Sequence, residues 1–150
     1  DDLRDHALLQ AQLQTPICLD ESIRGPGDVR LALDLGSGRI INIKPGRVGG
    51  FSSSVKIHDL CHAASIPVWC GGMLEAGIGR AYNLALASLP NFLLPGDISE
   101  SRRYWAEDIV DPEFVMDDGM MGVPDGPGIG VTVREDRVEE LTVRRWTKGG

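Results

Sequence analysis

No stretch of this sequence approaches the roughly 20 consecutive apolar residues that a helix needs to cross a bilayer. Its first residues also lack the basic-then-apolar pattern of a secretory signal. Positive charge is in short supply: 15 Lys and Arg stand against 22 Asp and Glu, and the basic residues are scattered rather than striped. The net charge of −7 argues against nucleic acid and anionic membranes as partners. Cysteine amounts to Cys18, Cys61 and Cys70, an odd number without the spacing of a metal site or a C-x-x-C redox pair. Two of the three end apolar, strand-like runs, so buried, reduced thiols are expected and the chain reads as cytoplasmic. An initiator Met is absent and the chain opens inside a helical pattern, which leads us to expect a fragment or a processed product. What is there is 150 residues of ordinary globular composition, enough for one domain with a core.

Along the chain, Leu3, Ala7, Leu8 and Ala11 recur at helical spacing, and Thr15-Pro16 closes that helix. Ile17-Cys18-Leu19 is a short apolar strand running into Asp20-Glu21-Ser22. After Gly25-Pro26-Gly27, Asp28 is the expected N-cap of a helix burying Val29, Ala32, Leu33 and Gly36. Ile40–Ile43 is a β-branched run stopped by Lys44 and the Pro45-Gly46 turn. A helix follows at about 51–65, with Ile57, Leu60, Cys61 and Ala64 on one side, then a strand over 66–70. A nearly all-apolar helix at about 77–88 is expected to be well buried, and Phe92 to Asp97 reads as a fourth strand and its turn. Strand centres near 18, 42, 68 and 93 repeat at about 25 residues, the signature of βα units on a parallel sheet. A whole (β/α) barrel takes about 250 residues and eight strands, so half of one is expected. The tail is different: Asp117-Asp118-Gly119 between apolar runs signals a hairpin. Gly126 to Gly130 is a loop, 131–133 and 141–143 are expected strands, and 147–150 is expected to fray.

In a parallel sheet the chemistry gathers at the carboxyl ends of the strands. Asp20 and Glu21 end the first strand, Lys44 the second, and the backbone of Gly71 to Leu74 the third. Asp20 and Lys44 lie one βα unit apart and so occupy neighbouring strand ends. Such a pair admits a structural ion pair, a divalent cation on Asp20 with Lys44 moving protons, or a Schiff base on Lys44. One carboxylate is a poor site for a hard cation, which takes several oxygen ligands. By itself Lys44 is also no more than the usual solvated residue after a strand.

Three stretches carry a resemblance: Thr15 to Ser22, Ile41 to Gly50, and Val68 to Arg80, with Pro95 to Ser99 and Gly126 to Gly130 in support. In that order they resemble the enolase superfamily, and within it the o-succinylbenzoate synthase / N-succinylamino acid racemase group, from about residue 1 to about 131. The resemblance implies an α/β fold, the C-terminal half of a TIM-like (β/α)7β barrel with a short β-hairpin tail. Residues 1–98 would be a partial barrel of about four βα units, and 99–150 an extension packed on the barrel or on a capping domain. It implies Asp20 as a ligand to Mg²⁺ (or Mn²⁺), Lys44 as the catalytic lysine, and Gly72, Met73 and Leu74 as contacts for a succinyl group. The capping domain, a Lys-x-Lys motif and two further metal carboxylates would lie in a missing N-terminal half or in another chain. The implied activity is dehydration through an enediolate, a lyase step of menaquinone biosynthesis, on a small carboxylate substrate in a homo-oligomer, with the 150 residues inactive alone. N-acylamino acid racemase or dipeptide epimerase activity would use the same residues. The remaining alternative is a non-catalytic half barrel that only associates.

Overall fold

Alternating short strands and helices make a parallel sheet with one covered face in the computed structural model, which describes residues 2–147. Three strands, β1 (Cys18–Leu19), β2 (Ile40–Ile43) and β3 (Val68–Cys70), pair in parallel in the order β1-β2-β3. Leu19 lies opposite Ile41, and Ile41 and Ile43 lie opposite Val68 and Cys70. These five side chains point to the same side and are buried in one cluster with Val29, Ala32, Ile57 and Cys61 from the helices. The alternate residues, Cys18, Asn42 and Trp69, fall on the other face, which no helix covers among the described residues.

Helix α1 (Leu3–Gln12) is capped by Asp2, whose carboxylate accepts from Arg4 N–H at 2.8 Å. Of its expected apolar stripe only Leu3 is buried; Gln10 is buried instead. Its amide accepts from Ile17 N–H at 2.7 Å and donates to the carbonyls of Leu13 and Thr15, so it splints the turn into β1. Helix α2 (Pro26–Leu35) starts earlier than expected: Gly25 is its N-cap and Pro26 takes the first turn. Asp28 is therefore not the cap, and its carboxylate reaches back to Arg24 N–H at 2.8 Å. Gly36, expected to be buried, is the exposed left-handed C-cap (φ 69°). The Pro45-Gly46 turn is a short helix, α3 (Pro45–Val48), followed directly by α4 (Phe51–Ala63). On α4, Ile57 and Cys61 are buried but Ala64 lies beyond its end and is exposed.

Helix α5 (Gly77–Ala87) is amphipathic rather than wholly buried, with Tyr82 and Ala85 exposed while Arg80 and Asn83 are buried. The expected fourth strand is reduced to one parallel bridge between Phe92 and Val68. Pro90 and Pro95 remove ladder donors on either side, so pairing does not extend. In the tail, β4 (Val110–Asp111) pairs antiparallel with β5 (Thr132–Val133). The hairpin signal gives a tight turn only: Asp118 and Gly119 have φ of 46° and 75°, and a single bridge joins Asp117 to Met120. Residues 135–141, ending where a strand was expected, form α6 (Glu135–Leu141). The expected fraying of 147–150 falls, beyond Thr147, outside the described residues.

Candidate active site

Strand β2 ends at Ile43, and the next residue, Lys44, is still extended (φ −116°, ψ 106°) and is the N-cap of α3. Its ammonium donates to Asp20 Oδ2 at 2.8 Å and lies 4.0 Å from Glu21. The expected pairing of neighbouring strand ends is thus direct. Lys44 and Asp20 side chains keep 19% and 27% of their exposure, so the pair is partly dried but open to a ligand.

A third charge joins them. Because α3 turns the chain back within one helical turn, Arg47 reaches the Asp20 carboxylate and pairs with its Oδ1. Arg47 also donates to the carbonyls of Ile23 at 2.9 Å and Asn42 at 2.6 Å. Burial lowers the pKa of its guanidinium from the ordinary arginine value, the Cys18 thiol opposing this, but an arginine stays charged. Asp20 is therefore a carboxylate shared between two cations. Arg47 was invisible as a site residue because its role depends on the α3 turn; the only sequence signal is its place three residues past Lys44.

Continuing the β2–β3 register sets Lys44 beside Gly71. A Cβ on Gly71 would lie 2.7 Å from Lys44 Cε and 2.5 Å from Asn42 Oδ1, so this position admits only glycine without moving the lysine. Asn42 is fully buried, and neither amide atom has a partner among the described residues.

The segment after β3 holds Gly72, Met73 and Leu74. Gly72 N–H donates to the Asp97 carboxylate, and Met73 and Leu74 are 48% and 71% exposed. Met73 sits against α3, where a Cβ on Gly46 would be 3.5 Å from its sulfur. Between them runs an open groove of about 520 Å³ lined by Pro45, Gly46, Phe51, Met73, Glu75 and Tyr82. Gly71 adjoins the charged cluster and Met73 lines the neighbouring groove, whereas Leu74 is exposed and does not line it.

Among the described residues no three His, Cys, Asp or Glu side chains cluster to hold a metal. Asp20 can contribute one carboxylate to such a site and no more, since a hard cation takes six or more oxygens and Glu21 points largely to solvent.

The family model "Enolase C-terminal domain-like" matches residues 1–137. The chain is 61% identical over 142 residues to an o-succinylbenzoate synthase of Geobacillus stearothermophilus, covering 95% of this chain and 38% of that protein. It is 54% identical over 143 residues to an N-succinylamino acid racemase of Thermus thermophilus, with 95% and 39% covered. A solved enolase-superfamily member from Listeria innocua superposes with a TM-score of 0.88 at 54% identity, over 93% of this chain and 38% of that one. The chain thus spans under two fifths of the length of the curated relatives it matches. Parallel strands alternating with helices, and a family match over residues 1–137, lead to one conclusion: the chain belongs to the enolase C-terminal domain-like family and carries part of its (β/α) barrel.

Proposed function

We propose that this chain is the Lys44-bearing part of an enzyme that removes a proton α to a carboxylate, and that its reaction is the dehydration carried out by o-succinylbenzoate synthases. The observation that carries the reading is the Lys44–Asp20 contact of 2.8 Å at adjacent strand ends, beside a glycine that leaves room for the lysine. The α-proton would pass to a base outside the described residues as the electron pair moves into the carboxylate; that same group would then return the proton to the β-hydroxyl, which leaves as water as the double bond forms. The Lys44 ammonium, held by Asp20, faces the negative charge that grows on the substrate. Fixed charge aimed at a developing charge is among the largest contributions an active site makes. Gly72, Met73 and Leu74 would line the succinyl arm of the substrate.

Asp20 would also be one ligand of a divalent cation, Mg²⁺ or Mn²⁺, that polarises the substrate carboxylate. Its other ligands are not among the residues described, so the 150 residues alone are expected to be inactive. The 54% identity to the Thermus racemase supports a second reading, in which Lys44 takes or delivers the α-proton on one face of an N-succinylamino acid while a lysine outside the described residues serves the opposite face.

The test is Lys44→Ala in the intact enzyme, assayed for dehydration, racemisation and solvent-deuterium exchange at the α-carbon. The expected loss is at least about 10³-fold in kcat with an unchanged melting temperature, a size typical of removing an electrostatic or acid–base group. A destabilised but active variant would make the ion pair structural. Deuterium wash-in that depends on Lys44 would favour the racemase reading.

A further inference from the structure

Glu75 has no part in the chemistry above, yet five polar contacts converge on it. Its carboxylate accepts from Met73 N–H through both oxygens, at 2.8 and 2.9 Å. Asn83 Nδ2, buried two turns along α5, donates to Glu75 Oε1 at 2.7 Å and fixes the carboxylate from below. The Glu75 carbonyl accepts from Arg80 Nη2 at 3.1 Å and from Trp105 Nε1 at 2.9 Å. The residue is clamped at both ends.

This is not helix capping. The N-cap of α5 is Ala76, and the acid that serves the helix start is Asp108, which accepts from Gly77 N–H at 2.8 Å. The Glu75 carboxylate turns the other way, towards the segment after β3. Gly79 explains how it fits. This glycine sits inside α5, where glycine costs about 0.5–1 kcal/mol relative to alanine. A Cβ there would lie 2.9 Å from Glu75 Cγ and 3.0 Å from its Cβ. Glu75, Gly79 and Asn83 follow one another at four-residue spacing down one face of the helix.

We infer that Glu75 is a positioning residue for the substrate-facing segment Gly72–Leu74, with Gly79 keeping the space it needs. By occupying Met73 N–H it fixes the methionine backbone, so that the thioether lines the open groove on the side facing Gly46. Glu75 thus sets the wall that a succinyl-type chain packs on, rather than touching the reacting atoms. The inference rests on the assignment of Gly72–Leu74 to substrate made above.

The experiment compares Glu75→Ala, Glu75→Gln and Gly79→Ala in the intact enzyme by steady-state kinetics and by hydrogen exchange at the Met73 amide. Glu75→Ala and Gly79→Ala are each expected to raise KM about tenfold with kcat within about twofold, the worth of one hydrogen bond to a charged group. Met73 N–H should exchange at least about tenfold faster in both, as loss of that bond predicts. Glu75→Gln, which keeps one acceptor and needs no refolding of α5, should recover part of both effects. A purely structural role would instead lower the melting temperature and kcat together, with KM unmoved; that result overturns the inference, as does unchanged Met73 exchange in Glu75→Ala. If the unaltered enzyme turned over neither succinyl substrate, the proposed function would fail. The Met73 exchange would then still decide between Glu75 as positioner and bystander.

Discussion

The three thiols differ in what surrounds them. Cys61 and Cys70 are buried among core side chains, and burial pushes both pKa values up to about 12, with Glu75 and Asp97 adding to the effect at Cys70. Cys18, expected to be buried like the others, is exposed because it lies on the uncovered face of β1, where Trp69 Nε1 donates to its sulfur at 3.1 Å. Only thiolates react, so a maleimide at neutral pH should label about one equivalent, at Cys18, until the fold is opened. Peptide mapping checks this; rapid labelling of Cys61 or Cys70 would contradict it. The same shifts give a pH dependence. Below pH 9.0, the ordinary thiol value, folded and unfolded chains both keep these protons and the thiols have no effect. Between 9.0 and about 12 the unfolded chain ionises while the folded one does not, so stability falls as pH rises. Urea midpoints measured across that window should decline more steeply for the unaltered chain than for Cys61→Ala.

At the scale of elements, the tail is locked to the barrel fragment by one buried cluster. Asp108 accepts from Arg80 Nη1 at 3.2 Å and from Ser101 Oγ at 2.6 Å, besides holding the start of α5. Arg80 and Asp108 are both about 1% exposed. Removing one member strands the other without water, so Asp108→Ala should destabilise by about 3–5 kcal/mol. Calorimetry decides it, and a change below about 1 kcal/mol would mean that water replaces the carboxylate. None of this was legible in the sequence. A buried arginine in an apolar helix gives no periodic signal, and its partner lies 28 positions away. Ile40–Ile43 was legible because a β-branched run cut off by Lys-Pro-Gly has few other conformations, and the Asp20–Lys44 pairing followed from the repeat length alone. Phe92–Asp97 misled because its apolar run ignores the prolines. Helix α6 was not legible, and its last residue falls within the strand expected at 141–143, because the helix has no buried residue and so no stripe; ion pairs along its surface, such as Arg137–Glu140, accompany it instead.

Taken whole, the molecule has a helix-covered sheet face and a more open one, and the residues proposed for its chemistry stand at the rim of the open one. Cys18 and Trp69 lie on it and Asn42 is buried beneath its neighbours there, with Asp20 and Lys44 at its rim, and β1 presents an unpaired edge. In the relatives, which are more than twice as long as the matched region, a closed barrel would turn this face inward. The two situations give one substitution opposite effects. In the 150 residues expressed alone, open edges and an uncovered face favour association, and a lysine at Cys18 adds charge to an edge strand in the way that natural sheets block pairing. Cys18→Lys should therefore shift the isolated chain towards monomer in sedimentation velocity runs while its melting temperature stays within a few degrees. In an intact barrel the same lysine would be carried into a packed interior next to Lys44 and Arg47, and the cost of an unpaired buried charge, several kcal/mol, should lower the melting temperature sharply. A monomeric isolated chain at every concentration, with Cys18→Lys tolerated in both forms, would mean that this face is solvated in the working protein. Lys44 would then stand in water rather than in a closed site, and the catalytic reading would lose the low-dielectric surroundings on which its electrostatics depend.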